Sequence, residues 1–355
     1  MLRTTSIFLV VICLSRTSWA QAPADTTKAA AAAPPALSIT GSADVYARYD
    51  FNKQVNNYTS FTGSHGQARI GMASLKLEHK TSKVDLVADL GFGPRAKEFA
   101  YNDSGISAAI KQLYISYTVN QYLKFTGGTW ATHIGYEVVD AYLNRNYSMS
   151  YMFTNGPFTH TGAKADITLG KSGIVIGVSN PTDWRIVPAG YTDKKNLIAQ
   201  YSYAPNDNLK RYLNYVGGRD VNDNKVHQYD LVGTAKVSSL FSLGINGTVN
   251  QTKWSAEDYA KSHTWWGSAL YLNLDPKPWF GLTLRGEYFS DKDHVKVSTD
   301  NIFATTLTAQ FKVDGFIFMP EFRLDNAKQE IFMKSDGVGG TKSSASVLIA
   351  AVYSF

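Results

Sequence analysis

The chain has almost no cysteine, no long apolar segment beyond its first residues and no strong excess of charge of one sign. Its only cysteine is Cys13. A disulfide framework, a cysteine-based zinc site and a cysteine nucleophile are therefore excluded for residues 21–355. No segment there offers the roughly 18 apolar residues of a membrane-spanning helix. The net charge of +6 falls to +4 without Arg3 and Arg16, and no basic stripe indicates a nucleic-acid partner.

The first twenty residues have the three parts of a secretory signal peptide. Arg3 gives a positive start, residues 7–14 (IFLVVICL) form a short apolar core, and Ser18-Trp19-Ala20 suits cleavage before Gln21. The apolar core is too short to span a bilayer as a helix. The following residues are rich in alanine and proline, which predicts a flexible leader. The expected division is a signal peptide at 1–20, a leader at 21–37 and a folded domain at 38–355.

Apolar and polar residues alternate from residue 38 onward, which predicts β-strands with one apolar face. In the first segment, Val45 and Tyr49 share the apolar parity, whereas Asp44 and Arg48 share the polar one. In a soluble sandwich the apolar face would pack on a second sheet, and in a membrane barrel it would face lipid. Aromatic residues near strand ends, including Trp265, are predicted to face the membrane interface. The predicted strands are 38–51, 67–79, 83–92, 110–118, 121–131, 159–170, 173–180, 195–203, 209–219, 226–238, 241–252, 263–274, 279–290, 301–312, 315–325 and 344–355.

The connections between these strands sort by length. Links after even-numbered strands are short, and links after odd-numbered strands are longer, up to 132–158. Short periplasmic turns that alternate with long external loops are typical of bacterial outer-membrane barrels, whereas a sandwich has no reason to sort its loops in this way. The fold class expected is therefore all-β, a transmembrane antiparallel β-barrel of about sixteen strands.

The chain ends on an alternating segment, 347–355, that places Tyr353 and Phe355 on the apolar face. Outer-membrane barrels of Gram-negative bacteria characteristically end on such a strand, and their assembly machinery reads it. Tyr353 and Phe355 are therefore predicted as a C-terminal assembly signal. Together with the signal peptide, they predict export to the cell outer membrane, with membrane lipid and the barrel assembly machinery as partners.

Three long segments resemble the β-barrel porin family described as OmpL-like, or porin-2. They are IGMASLKLEHKTSKVDLVADLGFGPRAKEF at 70–99, the stretch at 110–183 that begins IKQLYISYTVNQYLKFTGGTW, and LIAQYSYAPNDNLKRYLNYVGG at 197–218. They cover roughly the first half of the mature chain. The resemblance implies an outer-membrane barrel with a channel role. It implies no particular substrate and no catalytic residue.

Loop 132–158 is the longest and the third on the external side. In sixteen-stranded general porins the third loop folds into the lumen and narrows it, and we extend this by analogy. Acidic groups on the loop would face arginines on the opposite wall, and the transverse field between them would set ion selectivity. The alternative is that these charges are ordinary lumen lining. The predicted constriction comprises Glu137, Asp140 and Arg145 of the loop and Arg48, Arg285 and Arg323 of the wall.

The function expected is passive diffusion of small hydrophilic solutes or ions through a water-filled barrel. The alternatives are a substrate-specific channel for sugars or anions, and a structural or adhesive barrel plugged by its own loops. No serine motif suggests a nucleophile and no histidine pair has metal-ligand spacing, so no enzyme activity, metal or cofactor is expected. The transported solute cannot be read from the sequence, and a homo-oligomer stays open.

Overall fold

A computed structural model describes residues 36–296 and 301–355, which form a closed antiparallel barrel. The predicted signal peptide and all but the last two residues of the predicted leader lie outside the described residues. Strand β1 pairs with β2 on one side and with the last strand, β18, on the other, which closes the ring. The barrel strands are β1 Ala36–Asp50, β2 Gln67–Lys80, β3 Val84–Phe92, β4 Ile110–Asn120, β5 Leu123–Ala131, β6 Thr159–Leu169, β7 Ser172–Ser179, β8 Asn196–Asn206, β9 Leu209–Arg219, β10 Lys225–Lys236, β11 Phe241–Lys253, β12 His263–Lys277, β13 Phe280–Ser290, β14 Asn301–Val313, β15 Phe316–Ala327 and β18 Ser343–Ser354.

Each predicted strand overlaps one of these sixteen barrel strands, so the predicted fold class is confirmed. The cause is the alternation of side chains along each strand. On β11, Ile245 and Val249 are exposed on the outer face, whereas Asn246 and Asn250 are buried toward the lumen. Closure lets backbone amides and carbonyls pair between strands, which a bilayer requires.

One aromatic prediction is wrong. Trp265 does not face the membrane interface, because the parity of β12 sends Trp266 outward and Trp265 into the lumen. The side chain of Trp265 has no exposed surface, and its ring packs on Phe289 with centroids 5.5 Å apart.

The two ends of the barrel differ in the length of their connections. At one end, here the turn end, the links are short, such as 121–122 and 170–171. At the other, here the loop end, they are longer, and they hold the helices α1 Pro94–Ala100 and α2 Tyr151–Asn155 and a small hairpin of β16 Phe332–Met333 and β17 Gly340–Thr341. The loop-end connections are 51–66, 93–109, 132–158, 180–195, 220–224, 254–262, 328–342 and the link from β13 to β14, which is described over 291–296.

The C-terminal residue completes the junction between β1 and β18, hereafter the seam of the barrel. The backbone N–H of Phe355 donates to the carbonyl of Gly41 at 3.0 Å, and the N–H of Gly41 donates back to Phe355 at 3.1 Å. A Cβ on Gly41 would lie 2.6 Å from the ring of Phe355, so that ring covers a glycine. Tyr353 is exposed on the outer face.

The buried apolar core lies inside the barrel, between the lumen wall and the segments that fold into it. Its largest cluster joins Tyr151 and Met152 of α2 with Trp265, Tyr271 and Phe289 of the wall. In the described ranges, no helix is long and apolar enough to cross a membrane.

Candidate functional site

Loop 132–158, hereafter the crossing loop, leaves β5 at the loop end and lies inside the barrel. Its side chains and backbone bond to lumen-facing residues near the middle of strands on the far side of the ring. The wall residues that receive it are Asp44 of β1, Tyr271 of β12, Arg285 and Glu287 of β13, Thr308 of β14 and Glu321 and Arg323 of β15. Since β5 lies about halfway round the ring from β13 and β14, the loop spans the lumen.

Local sequence explains how the loop enters the lumen and turns. Its two ends are joined where the N–H of Thr132 donates to the carbonyl of Phe158 at 2.9 Å. Gly135 has a φ of 94°, which favours glycine, and its N–H donates to Asp230 of β10 at 3.0 Å. Further along, the Ser150 hydroxyl accepts from the N–H of Phe153 at 3.0 Å and caps α2.

Glu137 of the loop and Arg285 of the wall form a buried ion pair. Arg285 Nη1 lies 2.5 Å from Glu137 Oε1, and both side chains are almost fully buried. The same guanidinium donates to the carbonyl of Ser148 at 2.7 Å. Tyr271 donates its hydroxyl hydrogen to Glu137 at 3.2 Å, and the N–H of Ser150 donates to it at 2.8 Å. A buried carboxylate with these partners holds its part of the loop in one position.

The other two wall arginines also have protein partners. Arg323 Nε donates to Asp325 at 2.8 Å, and its Nη1 donates to the carbonyl of Met149 at 2.7 Å. Arg48 pairs with Asp50 at 3.1 Å, and it donates to the carbonyl of Ser64 in loop 51–66 at 2.8 Å. Both guanidiniums are buried, so they contact loop backbone instead of open water.

Two wall carboxylates that were not predicted from the sequence bind backbone amides of the crossing loop. Glu287 accepts from the N–H groups of Tyr151 and Met152, both at 2.9 Å, at the start of α2. Glu321 accepts from the N–H groups of Tyr147 at 2.8 Å and Ser148 at 3.1 Å. Carboxylates at the first amides of a helix are electrostatically favourable. The polar parity of β13 and β15 marks both residues as lumen-facing, but no sequence signal gives their partners.

A second unpredicted contact fixes the middle of the loop to β1 and α1. The Tyr147 hydroxyl donates to Asp44 at 2.5 Å, and Arg95 Nε lies 3.7 Å from the same carboxylate. The Arg95 guanidinium also lies 4.6 Å from the ring centroid of Tyr147. Burial raises the pKa of the Tyr147 hydroxyl well above its usual value, so this hydroxyl stays a hydrogen-bond donor.

The remaining predicted loop charges are placed elsewhere. Asp140 pairs with Lys111 of β4 at 2.5 Å, and Lys111 also lies 3.1 Å from Asp89. Arg145 donates to Asp275 near the turn end of β12 at 2.7 Å. The structure therefore brings Glu137 and Arg285 together, and neither Asp140 nor Arg145 is paired with a predicted wall arginine.

Water-accessible lumen charges lie on the opposite side, on β2 and β6. Lys76 pairs with Glu78 at 2.8 Å, with side chains 32% and 24% exposed. Lys164 pairs with Asp166 at 3.2 Å, and both are partly exposed. These four side chains are lumen-facing charges that keep partial contact with solvent.

A histidine pair lies where the crossing loop meets the wall. The rings of His133 and His160 have centroids 5.1 Å apart, and His160 Nε2 lies 2.9 Å from the hydroxyl of Thr132. Burial lowers the pKa of His133 to about 4, so it is neutral at pH 7. Within residues 36–296 and 301–355, no three His, Cys, Asp or Glu side chains are grouped as metal ligands.

The family model described as "Putative beta-barrel porin-2, OmpL-like" matches residues 36–355. The chain belongs to this family. Porin-2 membership and the barrel together identify an outer-membrane, porin-like channel fold. No curated protein sequence matches the chain.

Solved structures of outer-membrane channels have the same fold at low sequence identity. The anion-selective porin from Comamonas acidovorans aligns with a TM-score of 0.64 and 11% identity, over 90% of this porin-2 chain and 100% of that chain. The outer-membrane channel DcaP of Acinetobacter baumannii aligns with a TM-score of 0.60 and 11% identity, over 90% and 97%. A trimer form of OmpT from Vibrio cholerae aligns with a TM-score of 0.57 and 9% identity, over 90% and 99%. At these identities the likeness establishes the fold alone.

Proposed function

We propose that the chain is a porin through which small hydrophilic solutes or ions diffuse passively across the outer membrane. The observation that supports this is the crossing loop, fixed inside a closed sixteen-stranded barrel. Solutes would pass between this loop and the wall that carries Lys76, Glu78, Lys164 and Asp166. The proposal includes no cofactor, no energy input and no catalytic step.

The six predicted constriction residues would act by fixing the positions of loops, which is the crossing loop for five of them and loop 51–66 for Arg48. Buried and paired charges contribute little direct attraction to a solute, but they determine which surface the solute meets. Glu137, Arg285 and Arg323 would hold the crossing loop against β13 and β15, and Arg48 would hold loop 51–66 against β1. Asp140 and Arg145 fix the loop at β4 and at the turn end of β12.

Conductance of the purified protein in planar lipid bilayers tests the channel. Stepwise ionic currents are expected. The absence of any current across repeated preparations would reject the proposal. Replacing Arg285 and Arg323 with alanine leaves the carboxylates of Glu137 and Asp325 without their cations, so the lumen becomes more negative and the reversal potential should shift toward cation selectivity. The matched control is Arg211→Ala with Lys253→Ala, because both cations lie on the outer face. Equal reversal potentials in the two double variants would exclude a role of the arginines in selectivity.

A substrate-specific channel for sugars or anions is the second candidate. Lys164 Nζ lies 5.5 Å from the ring centroid of Trp130, so an aromatic face lies beside a charge in the lumen. Swelling of protein-containing liposomes in a panel of sugars separates the candidates. Rates that depend on solute size alone would support the general porin. A plugged structural or adhesive barrel predicts no swelling and no conductance.

Export, assembly and association belong to the same proposal. Residues 1–20 would direct export, and Tyr353 and Phe355 would be read by the barrel assembly machinery. The barrel exterior would contact outer-membrane lipid. A homo-oligomer fits the trimer form of the Vibrio cholerae relative. Crosslinking of the protein in isolated outer membranes tests this association, and a product of monomer size alone would contradict it.

A further inference from the structure

Four cations form a row across adjacent strands at the loop end, on the outer face of the barrel. Lys225 of β10 pairs in register with Arg219 of β9 on one side and with Lys253 of β11 on the other. Lys195, just before β8, accepts the N–H of Arg219 on its carbonyl. The four share the parity of the outward-facing residues of their strands, for example Leu197 and Leu213. Like charges placed directly opposite each other on a sheet repel, so the row favours an added anion.

The protein's own carboxylates neutralise only part of this group. Asp223 lies 2.6 Å from Arg219 and 2.7 Å from Lys194. In the part of the chain that the structure describes, no carboxylate lies within ion-pair distance of Lys195, Lys225 or Lys253. A recess of about 620 Å³ opens beside the row and is lined in part by Lys195 and Arg219.

An apolar groove lies below the row on the same outer face. Its volume is about 680 Å³, and its walls are side chains of β7–β11, among them Ile176, Tyr201, Leu213, Tyr229 and Leu231. The depression arises where Ala199 and Gly247 occupy outward positions between larger side chains, and a Cβ on Gly247 would meet open space.

The outer surface becomes steadily more polar from the apolar groove to the row of cations. Two residues nearer the loop end than Tyr229, the outward-facing side chains include His227 and Gln251, which pair in register. The Tyr215 hydroxyl lies 2.9 Å from His227 Nδ1. Four residues of extended strand separate Tyr215 from Arg219, about 13 Å. Apolar, interfacial and cationic zones therefore follow one another over the length of a lipid headgroup.

We propose that this face binds a phosphorylated, multiply acylated glycolipid of the outer leaflet. Its phosphate would contact Lys195, Lys225 and Lys253 through charge-assisted hydrogen bonds, and an acyl chain would fill the groove. Charge complementarity favours this occupant, because a phosphate offers up to two negative charges to three lysines of the row that have no carboxylate partner among the described residues. The loop end of the barrel would then face outward, as the alternation of loop lengths indicates.

Native mass spectrometry of the full-length folded protein in detergent tests this proposal. The probe is diphosphoryl lipid A, compared with lipid A without its phosphates and with inorganic phosphate. One lipid per chain is expected, and Lys225→Gln with Lys253→Gln should weaken binding at least tenfold. Gly247→Phe should weaken it similarly by filling the groove, with no change of charge. The control is Lys328→Gln with Lys342→Gln, two cations at the loop end near β15 and β18, which should bind as the wild type does.

Several outcomes would overturn the proposal. Equal binding by the Lys225/Lys253 double variant would exclude the phosphate contact, as would equal binding of dephosphorylated lipid A. Inorganic phosphate that binds as tightly as lipid A would show a simple anion site. Pairs of chains without lipid, lost in Gly247→Phe, would show instead that the groove receives a second copy of this chain. If the lysine variant does not fold, Gly247→Phe decides alone, because its side chain enters open space.

Discussion

Glu137 and Arg285 meet inside the barrel, with Oε1 2.5 Å from Nη1, although one belongs to the crossing loop and the other to the middle of β13. Each also bonds to a third group, Ser150 for the carboxylate and Ser148 for the guanidinium. The pair therefore joins two turns of the loop to the wall.

Breaking this pair should destabilise the loop and widen the channel. Arg285→Met leaves the Glu137 carboxylate buried without its cation, which typically costs about 3–5 kcal/mol. Single-channel conductance should rise and become noisier, because the loop leaves the wall more often. Lys76→Gln is the matched control for the free energy of unfolding. Its pair with Glu78 is partly exposed and contributes at most about 1 kcal/mol, so the stability should change little. Conductance that is unchanged in Arg285→Met would contradict the proposed attachment.

Gly71 tests the contact between the loop and β1. A Cβ at this position would lie 1.7 Å from Asp44 Oδ2 and 2.9 Å from the hydroxyl of Tyr147. Gly71→Ala should therefore displace Asp44 and lower the free energy of unfolding by about 1–3 kcal/mol. Gly286→Ala on the outer face is the control, since its Cβ would meet no atom within 4 Å. Denaturant unfolding in detergent, followed by tryptophan fluorescence, compares the two, and equal midpoints would refute the assignment.

Asp183 should make stability depend on pH. Its carboxylate accepts from the N–H groups of Phe158 at 2.7 Å and Thr159 at 2.8 Å, where the crossing loop rejoins β6. Burial raises its pKa to about 6, whereas an unfolded aspartate titrates near pH 4. Between these values the folded chain keeps a proton that the unfolded chain releases, so the stabilisation by Asp183 is lost as the pH rises toward 6.

Asp183→Asn should remove this dependence. As the pH rises from about 4 to 6, the wild type should lose stability relative to the variant, by at most about 3 kcal/mol. Thermal unfolding in detergent at several pH values measures the difference. Asp207→Asn, in the exposed turn between β8 and β9, should keep the wild-type profile. Parallel profiles of the wild type and Asp183→Asn would show that the carboxyl does not titrate in this range.

The seam residue Phe355 should affect folding into membranes. Its backbone closes the ladder with Gly41, and its ring covers that glycine. Phe355→Ala should lower the folded fraction in lipid vesicles several-fold, because the uncovered seam is where the two chain ends must pair. Phe303→Ala removes a similarly exposed outer aromatic from β14 and should have a smaller effect. Gel mobility with and without heating measures the folded fraction, and equal fractions would contradict the role of the seam.

The barrel could be predicted from sequence because its determinants are local. The alternation of apolar and polar residues along a single strand predicts which face meets lipid. The length of each connection predicts at which end of the barrel it lies. The prediction for Trp265 was wrong because it rested on the aromatic composition near a strand end and not on the parity of β12, which places this ring in the lumen. The helix α1, which carries Arg95, was not predicted because loop 93–109 has no clear apolar period.

The candidate site could be predicted only in part. Glu137 and Arg285 were placed on facing surfaces by counting strands round a ring, and the structure brings them into contact. Asp140 and Arg145 instead pair with Lys111 of β4 and Asp275 of β12. The sequence does not predict these partners, because the path of an irregular loop depends on contacts distant in sequence. The amide-binding role of Glu287 and Glu321 has no sequence signature, since any lumen-facing glutamate has the same parity.

The crossing loop also has a mechanical consequence. It is rooted at β5 and β6 and fastened to β13–β15 on the opposite side, so it acts as a strut across the diameter. A hollow cylinder under lateral membrane pressure flattens most easily along an unsupported diameter. The strut opposes flattening along one axis only, so the cross-section should deform more readily at right angles to it.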